Sequence, residues 1–414
     1  MFSLVRLPAS LFRGVLIFVL AVVGAFGCRA TQQSEPAPVP RAAFIANESY
    51  PSVEKPAAEG LATALAGSAE PDPVGGKPLE VLVVSGGVGA APFAAGVLVG
   101  WSEAGTRPTF DVVTGVSSGA LIGACAFLGP KYDPKLRRLM QTMTSSDLIT
   151  IRPLRYLVQY RSLGSPATAE RLIRTEIDDA FLDDLRQAHA EGRRFFVGTT
   201  ELETDQLVIW DVGAIASSDR PDAYDLVRKV FLAAISWPGL VPPVEFDLES
   251  NGRQYHEQHY DGGATTMAFV RFGPLAAWPQ PDAPAQPGWL KGSNLYVLVC
   301  RKLYDDPAPM SKRPLPRAMA YMGLMLESLT RADISKIYSF CAASGMGFHL
   351  LAMPQEIPQE HLGFRAMFPT QAPQLFETGY RLGAGGPPWR FTPPGAEAGE
   401  EVVPRGAIPI QIAR

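Results

Sequence analysis

The chain has 414 residues, 47% of them hydrophobic and 19% charged, with 37 basic against 41 acidic side chains. That length fits one large domain or two small ones, and the apolar share fits a globular core rather than a disordered chain. The formal charge of −4 excludes the basic footprint of a nucleic-acid-binding protein, so no nucleic-acid partner is expected.

Residues 1–28 read as an export signal. Arg6 and Arg13 precede the apolar run Gly14–Phe26, which is too short for a comfortable transmembrane helix. Ala25-Phe26-Gly27-Cys28 has the form of a bacterial lipobox with Cys28 as the lipidation site, although Ala25 stands where Leu, Val or Ile is usual. A cleaved secretory signal or a plain N-terminal anchor are the alternatives. Arg29 stands where an inner-membrane retention signal would carry Asp, which points to the outer membrane of a bacterial envelope, facing the periplasm. Residues 29–77, rich in Pro, Ala, Ser and Glu without a sustained period, read as a flexible tether.

Residues 79–128 carry two buried-strand patterns, each running into a glycine-rich turn and a helix. The first is Leu79–Ser85, the turn Gly86-Gly87-Val88-Gly89, and a helix from about Pro92 to Ala104. The second is Phe110–Thr114, the turn Gly115-Val116-Ser117-Ser118-Gly119, and an apolar helix from Ala120 to Phe127. Strand, crossover helix and strand make a βαβ unit, so both turns belong at the carboxyl ends of adjacent parallel strands, where open α/β sheets place their sites. Gly115-x-Ser117-x-Gly119 in that setting reads as a nucleophile elbow, with the following helix pointing its first amides at any anion formed there. The plainer reading is a tight βα turn with a capping serine. Gly86 and Gly87 offer backbone N–H groups at close approach, which suits an oxyanion hole facing Ser117. A dinucleotide loop is disfavoured because Gly-x-Gly-x-x-Gly is not met, and no cofactor is expected.

Residues 129–165 are irregular, with a basic and aromatic run from Arg152 to Arg161 that reads equally as a lid or as a solvated loop. Residues 168–190 predict one amphipathic helix capped by Thr168 or Ser165, with Leu172, Ile173, Ile177, Phe181 and Leu185 inward. Phe195–Thr200 and Leu207–Val212 predict strands in a hairpin, and Asp222–Ser236 a helix stopped by Trp237-Pro238-Gly239. Asn294–Cys300 predicts a buried strand, Arg317–Ala343 a long helix, Phe348–Met353 a late strand and Pro373–Leu382 a closing helix. Met319, Met322 and Met325 form a stripe on the long helix that reads first as core filling and second as the lining of an acyl groove. Cys125, Cys300 and Cys341 read as small buried hydrophobes, with no disulfide framework. The tail from Gly383, rich in Pro and Gly, is expected to be loose.

The second stretch with chemistry is Tyr255–Gly263, in which Asp261 ends a strand-like run before Gly262 and Gly263. A carboxylate on so open a turn can reach another strand's end and act as base for Ser117; alone, it is a common Asp-Gly turn. His256, Glu257 and His259 do not meet the spacing His-Glu-x-x-His, so no metal is expected. The order Ser117, Asp261, then His349 or His361 also permits a Ser-Asp-His hydrolase.

SGGVGAAPFAAGVLVGW, GVSSG and DGG, in that order, resemble the bacterial branch of the patatin-like phospholipase family. VIWDVGAIASS, VRKVFLAAISWPGLVPPV and the SKIYSF helix extend the likeness over roughly residues 78–382. The resemblance implies a three-layer α/β/α sandwich and a Ser-Asp dyad at the carboxyl ends of the sheet strands. Ser117 would be the acylated nucleophile, Asp261 the base, and the loop Gly86, Gly87, Val88 the oxyanion donors, supported by Gly89, Gly115, Gly119, Gly262 and Gly263. It also implies a lipid or other acyl-ester substrate; the membrane is expected as a partner through the N-terminal lipid anchor at Cys28. The loop departs from the family's Gly-Gly-Gly-x-Arg/Asn-Gly: Val88 replaces the third glycine, Ala90 the polar residue and Ala91 the last glycine. A β-branched residue suits positive φ poorly, so a lipid-binding lipoprotein without turnover is the reading of a different class.

Overall fold

The computed structural model describes residues 78–87, 89–148, 150–151, 162, 164–250, 253–270, 290–304, 312–357, 371–397 and 400. Every described residue lies in the unit Pro40–Arg414. The export signal with Cys28, the tether 29–77, Val88, the run Arg152–Arg161, His361 and residues 401–414 lie outside the described residues.

The first βαβ unit is formed as expected: β1 (Glu80–Val84), α1 (Ala91–Glu103), β2 (Val112–Val116) and α2 (Ser118–Leu128). β1 and β2 run parallel, with Val81 beside Val112 and Val84 beside Gly115. Pro92 sits in the first turn of α1, where no backbone donor is needed. After α3 (Asp133–Thr142), the stretch expected as one helix is two, α4 (Ala167–Glu176) and α5 (Asp179–Ala190). The break has a local cause: Asp178 is extended and its carboxylate accepts the Phe181 N–H, capping a new helix instead of continuing the old one. Pro166, directly before α4, has no side chain to cap it; of the two expected caps, the Ser165 hydroxyl accepts the Ala167 N–H at 3.3 Å and Thr168 lies within the helix.

β3 (Arg194–Glu201) and β4 (Gln206–Asp211) form the expected hairpin, followed by α6 (Ala223–Ala234). Then come β5 (Val244–Ser250), which was not foreseen, and β6 (Arg253–Asp261). The chain closes with β7 (Asn294–Leu298), α7 (Pro314–Ser344), β8 (Gly347–Leu351) and α8 (Ala372–Ala384). Among the described residues these strands make one mixed eight-stranded sheet, in the order β8-β7-β1-β2-β3-β6-β5, with β4 also on β3. The first five of that order are parallel, and the three strands after β3 in sequence are joined antiparallel.

The sheet is buried on both faces, so the architecture is an α/β/α sandwich. Leu82 and Val84 of β1 face a core shared with α1, α2, α3, α5, α6 and α8; Val81 and Val83 face one shared with Ile334, Ile337 and Cys341 of α7. Cys125, Cys300 and Cys341 are buried free thiols. Met325, expected in the core or an acyl groove, is instead 71% exposed. Residues 383–397, expected to be loose, return to the sheet: Arg390 bridges Leu350, and the Trp389 ring meets Trp101 edge-on with centroids 5.0 Å apart. Aromatic burial outweighs the Pro and Gly content there.

α1 and α8 cross with their backbones in contact. A Cβ at Gly96 would lie 2.1 Å from the Phe376 carbonyl oxygen, and one at Gly379 2.1 Å from that of Phe93. Gly379→Ala should therefore lower stability by about 3 kcal/mol in urea denaturation. Gly323→Ala, at a helical position with nothing within 4 Å of the added carbon, should change it little or raise it by up to about 1 kcal/mol. Equal effects at the two sites would contradict this packing.

Candidate active site

Ser117 occupies the turn between β2 and α2 at φ 55° and ψ −129°, a conformation that costs an ordinary side chain on the order of 1–3 kcal/mol. The turn closes because Gly115 and Gly119 are bare: a Cβ on Gly115 would lie 2.5 Å from the Gly119 carbonyl oxygen, and one on Gly119 2.4 Å from that of Val84. Although Ser117 is the residue before the helix, its hydroxyl does not cap it. The capping reading therefore fails. The hydroxyl stands near the carboxylate of Asp261 and favours its ionised form.

The sheet brings these two residues together by a shared edge. β3 is longer than β2, so β2 pairs only with its first part, ending at Val116 beside Gly198. The next residue of β3, Thr199, pairs with Asp261, the last residue of β6. β2 and β6 thus meet end to end along one edge of β3, and both deliver their final residue to the same point. Asp261 is held there by its N–H to the Ser236 carbonyl at 2.9 Å and by the Thr200 hydroxyl to its carbonyl at 3.1 Å. Ser117 is 5% exposed and Asp261 3%. Burial pushes the Asp261 carboxyl up to about 7, against the hydrogen bond from the Gly263 N–H at 2.8 Å and the smaller lowering effect of the nearby Ser117 hydroxyl.

The glycine loop after β1 is pinned beside this pair. The Ser118 hydroxyl donates to the Gly87 carbonyl at 2.9 Å, and the Cys300 N–H to the Ser85 hydroxyl at 3.0 Å. Gly87 is at φ 140°, and a Cβ there would lie 2.4 Å from the Cys300 carbonyl oxygen. Gly86, expected as an oxyanion donor, is otherwise engaged: its N–H donates to the Met267 carbonyl at 2.8 Å. One amide makes one strong bond, so this donor is occupied. Its lack of a side chain serves space, since a Cβ would lie 3.3 Å from that of Ser117 and 3.0 Å from the Met267 methyl. Among the described residues no carbonyl accepts from Gly87, and the first amides of α2, those of Ser118 and Gly119, have no acceptor within the helix. Val88 lies outside the described residues; Gly89 stands in the turn that enters α1.

The patatin-like phospholipase family model matches residues 82–272, from β1 to just past Asp261. This stretch is a patatin-like phospholipase domain. The match is narrower than the likeness read from sequence and leaves β7, α7, β8 and α8 outside it. No curated protein matches the chain. A crystal structure of VipD from Legionella pneumophila is similar at 11% identity and a TM-score of 0.36, covering 75% of this chain and 66% of that one, just under two thirds of its length.

Among the described residues the histidines weighed as bases stand apart from Ser117. His349 is on β8, and in register it lies beside Tyr296 of β7, which lies beside Leu82 of β1 and so beside Val113 of β2. Three strand spacings make that about 14 Å across the sheet, away from Ser117. His349 is thus ruled out as its base. His259 is fully buried, with its ring between the Thr199 hydroxyl and the Glu257 carboxylate, each at 2.9 Å, and packed on Trp210 and Phe246. His256 is exposed beside Asp247. Three residues the sequence reading passed over belong to the site. Ser118 is visible as the residue after the nucleophile; Met267 and Asp333, whose carboxylate accepts the Met267 N–H at 2.9 Å, carry no local signal.

An Asp whose folded pKa is raised from 3.8 to about 7 favours folding in its protonated form, and that contribution is lost as pH rises between these values. Asp261→Asn should thus stabilise the fold by about 1–3 kcal/mol at pH near 8 and hardly at all near pH 4. Urea denaturation of both proteins at the two pH values checks this. A destabilised variant at both would mean that the carboxylate is not a strained one.

Proposed function

We propose that the domain is a serine acyl hydrolase acting on lipid esters, with Ser117 as nucleophile and Asp261 as the base. The observation that carries this reading is the placement of a strained serine beside a buried carboxylate, at the meeting ends of β2 and β6, with the carboxyl pushed up to about 7 by burial. That value places the carboxylate where it can both take and return a proton near neutral pH.

In this mechanism the Ser117 hydroxyl attacks the acyl carbonyl carbon while its proton passes to Asp261. The negative charge on the carbonyl oxygen is met by the amides of Gly87 and Ser118, at the N-terminus of α2. Collapse expels the alcohol, which takes the proton from Asp261 and leaves an acyl-Ser117 ester. Asp261 then draws a proton from water, the hydroxide attacks the ester, and the same proton returns to Ser117 as the fatty acid leaves. No histidine among the described residues enters, in keeping with a dyad.

A specific observation favours the second reading, lipid binding without turnover. The Gly86 amide is occupied by Met267, and the family's polar loop residue is here Ala90, fully buried beside Ala91. Two donors in place of three would cost about 10²–10³ in rate. The two readings part on chemistry at Ser117. A fluorophosphonate probe should label Ser117, and fatty-acid release from phospholipid should vanish in Ser117→Ala and fall about 10²–10⁴-fold in Asp261→Asn. A folded, unlabelled protein without ester turnover would favour binding.

A further inference from the structure

Among the described residues five large apolar side chains stay exposed, and three of them lie together on α7: Tyr321, Leu324 and Met325, at 54%, 48% and 71% exposure. Their spacing of three and four residues puts them on one face of the helix. The rest of the helix behaves differently. Thr330, Asp333, Ile334, Ile337 and Cys341 are buried, and they anchor its C-terminal half in the second core layer. A helix that is embedded at one end and bare along an apolar face at the other is incomplete in water.

The charged residues of this half of the helix and its approach have one sign. Residues 312–326 contain Lys312, Arg313 and Arg317 and no Asp or Glu, in a chain that is acidic as a whole. Arg317 stands one turn before Tyr321, on the same side. Glu327, the first acid, is buried and paired with Arg331. Apolar side chains with an interfacial tyrosine and a cationic margin make the pattern of a helix that lies on an anionic membrane surface.

The same helix reaches the candidate active site. Asp333 accepts the Met267 N–H, and Met267 in turn accepts that of Gly86 beside Ser117. At 1.5 Å per residue, Met325 is about 12 Å and Tyr321 about 18 Å along the axis from Asp333. An occupant of the face thus sits on the helix that is fastened to the site, about 12–18 Å along its axis from that fastening.

We propose that the Tyr321–Leu324–Met325 face of α7 docks on an anionic lipid bilayer. The choice of a bilayer over a protein rests on the proposed lipid hydrolase; the apolar face and its cationic margin do not. Docking would seat the domain on the surface that holds its substrate, with the helix that clamps Met267 in direct contact with lipid.

The test uses the full chain carrying Ser117→Ala, so that lipid turnover plays no part, with Met325→Trp as a local reporter above the six native tryptophans. Vesicles of phosphatidylcholine, with and without phosphatidylglycerol, carry shallow brominated lipids as quenchers. The added tryptophan should be quenched in the anionic vesicles and much less in the neutral ones. In the same assay Leu324→Glu should weaken the apparent affinity roughly tenfold or more, and Arg317→Glu about fivefold. A chain that co-sediments with vesicles while Trp fluorescence at position 325 is unaffected is held by another part and overturns the proposal. So does a lipid-free dimer in sedimentation velocity that Leu324→Glu dissolves, because the face then covers a second copy. Quenching in the Ser117→Ala chain supports docking even where wild-type protein releases no fatty acid, so failure of the hydrolase reading is seen separately.

Discussion

The site depends on a difference in strand length. β3 is eight residues long and β2 five, and the remainder of the β3 edge is taken by the end of β6 coming from the opposite direction. Val116 and Asp261 are therefore partners of consecutive residues, Gly198 and Thr199, although 145 positions separate them in sequence. Backbone hydrogen bonds along β3, not side-chain contacts, set the distance between the serine and the carboxylate. Side chains then refine it: Trp210 donates to the Thr199 hydroxyl, which meets His259, and His259 meets Glu257. This buried chain ties β6 to β3 two residues before Asp261.

Placing the pair there opposes stability twice. Ser117 is held at positive φ, and Asp261 loses its hydration, so that its carboxylate is disfavoured until pH reaches about 7. The surrounding fold offsets both. The parallel strands β1, β2 and β7 are apolar on each face, and the α1–α8 crossing brings two backbones into contact through glycines. A rigid frame can hold a strained turn that a looser one would relax. The same rigidity explains why the Met267 segment matters: it closes over Gly86 and Ser117 and is fastened to α7 through Asp333.

Much of this was legible in the residues. Two apolar strands, each ending in a glycine turn, specify a parallel pair with its site at their tips, because no other arrangement buries both strands and leaves the turns free. Asp261 was legible as a candidate only through its company, since Asp-Gly by itself is a turn. β5 was legible in principle: Val244–Ser250 reads VEFDLES, a strict apolar–polar alternation that the two preceding prolines mask, and it forms as the antiparallel partner of β6. The helix break at Asp178 was hidden because the apolar period of 168–190 continues through it, while the cap that causes it is one side chain. The occupied Gly86 amide was beyond reach for a different reason. Its acceptor, Met267, lies 181 residues away on a loop without a pattern.

Whether a buried carboxylate drives the serine is decided most directly by the pH dependence of the first chemical step. The rate of Ser117 acylation by a chromogenic ester, followed before steady state, should rise about tenfold per pH unit below neutrality and level off above an apparent pKa of about 7. A rate that is flat across this range, or one that titrates at the ordinary value of an exposed carboxylate, would contradict the account.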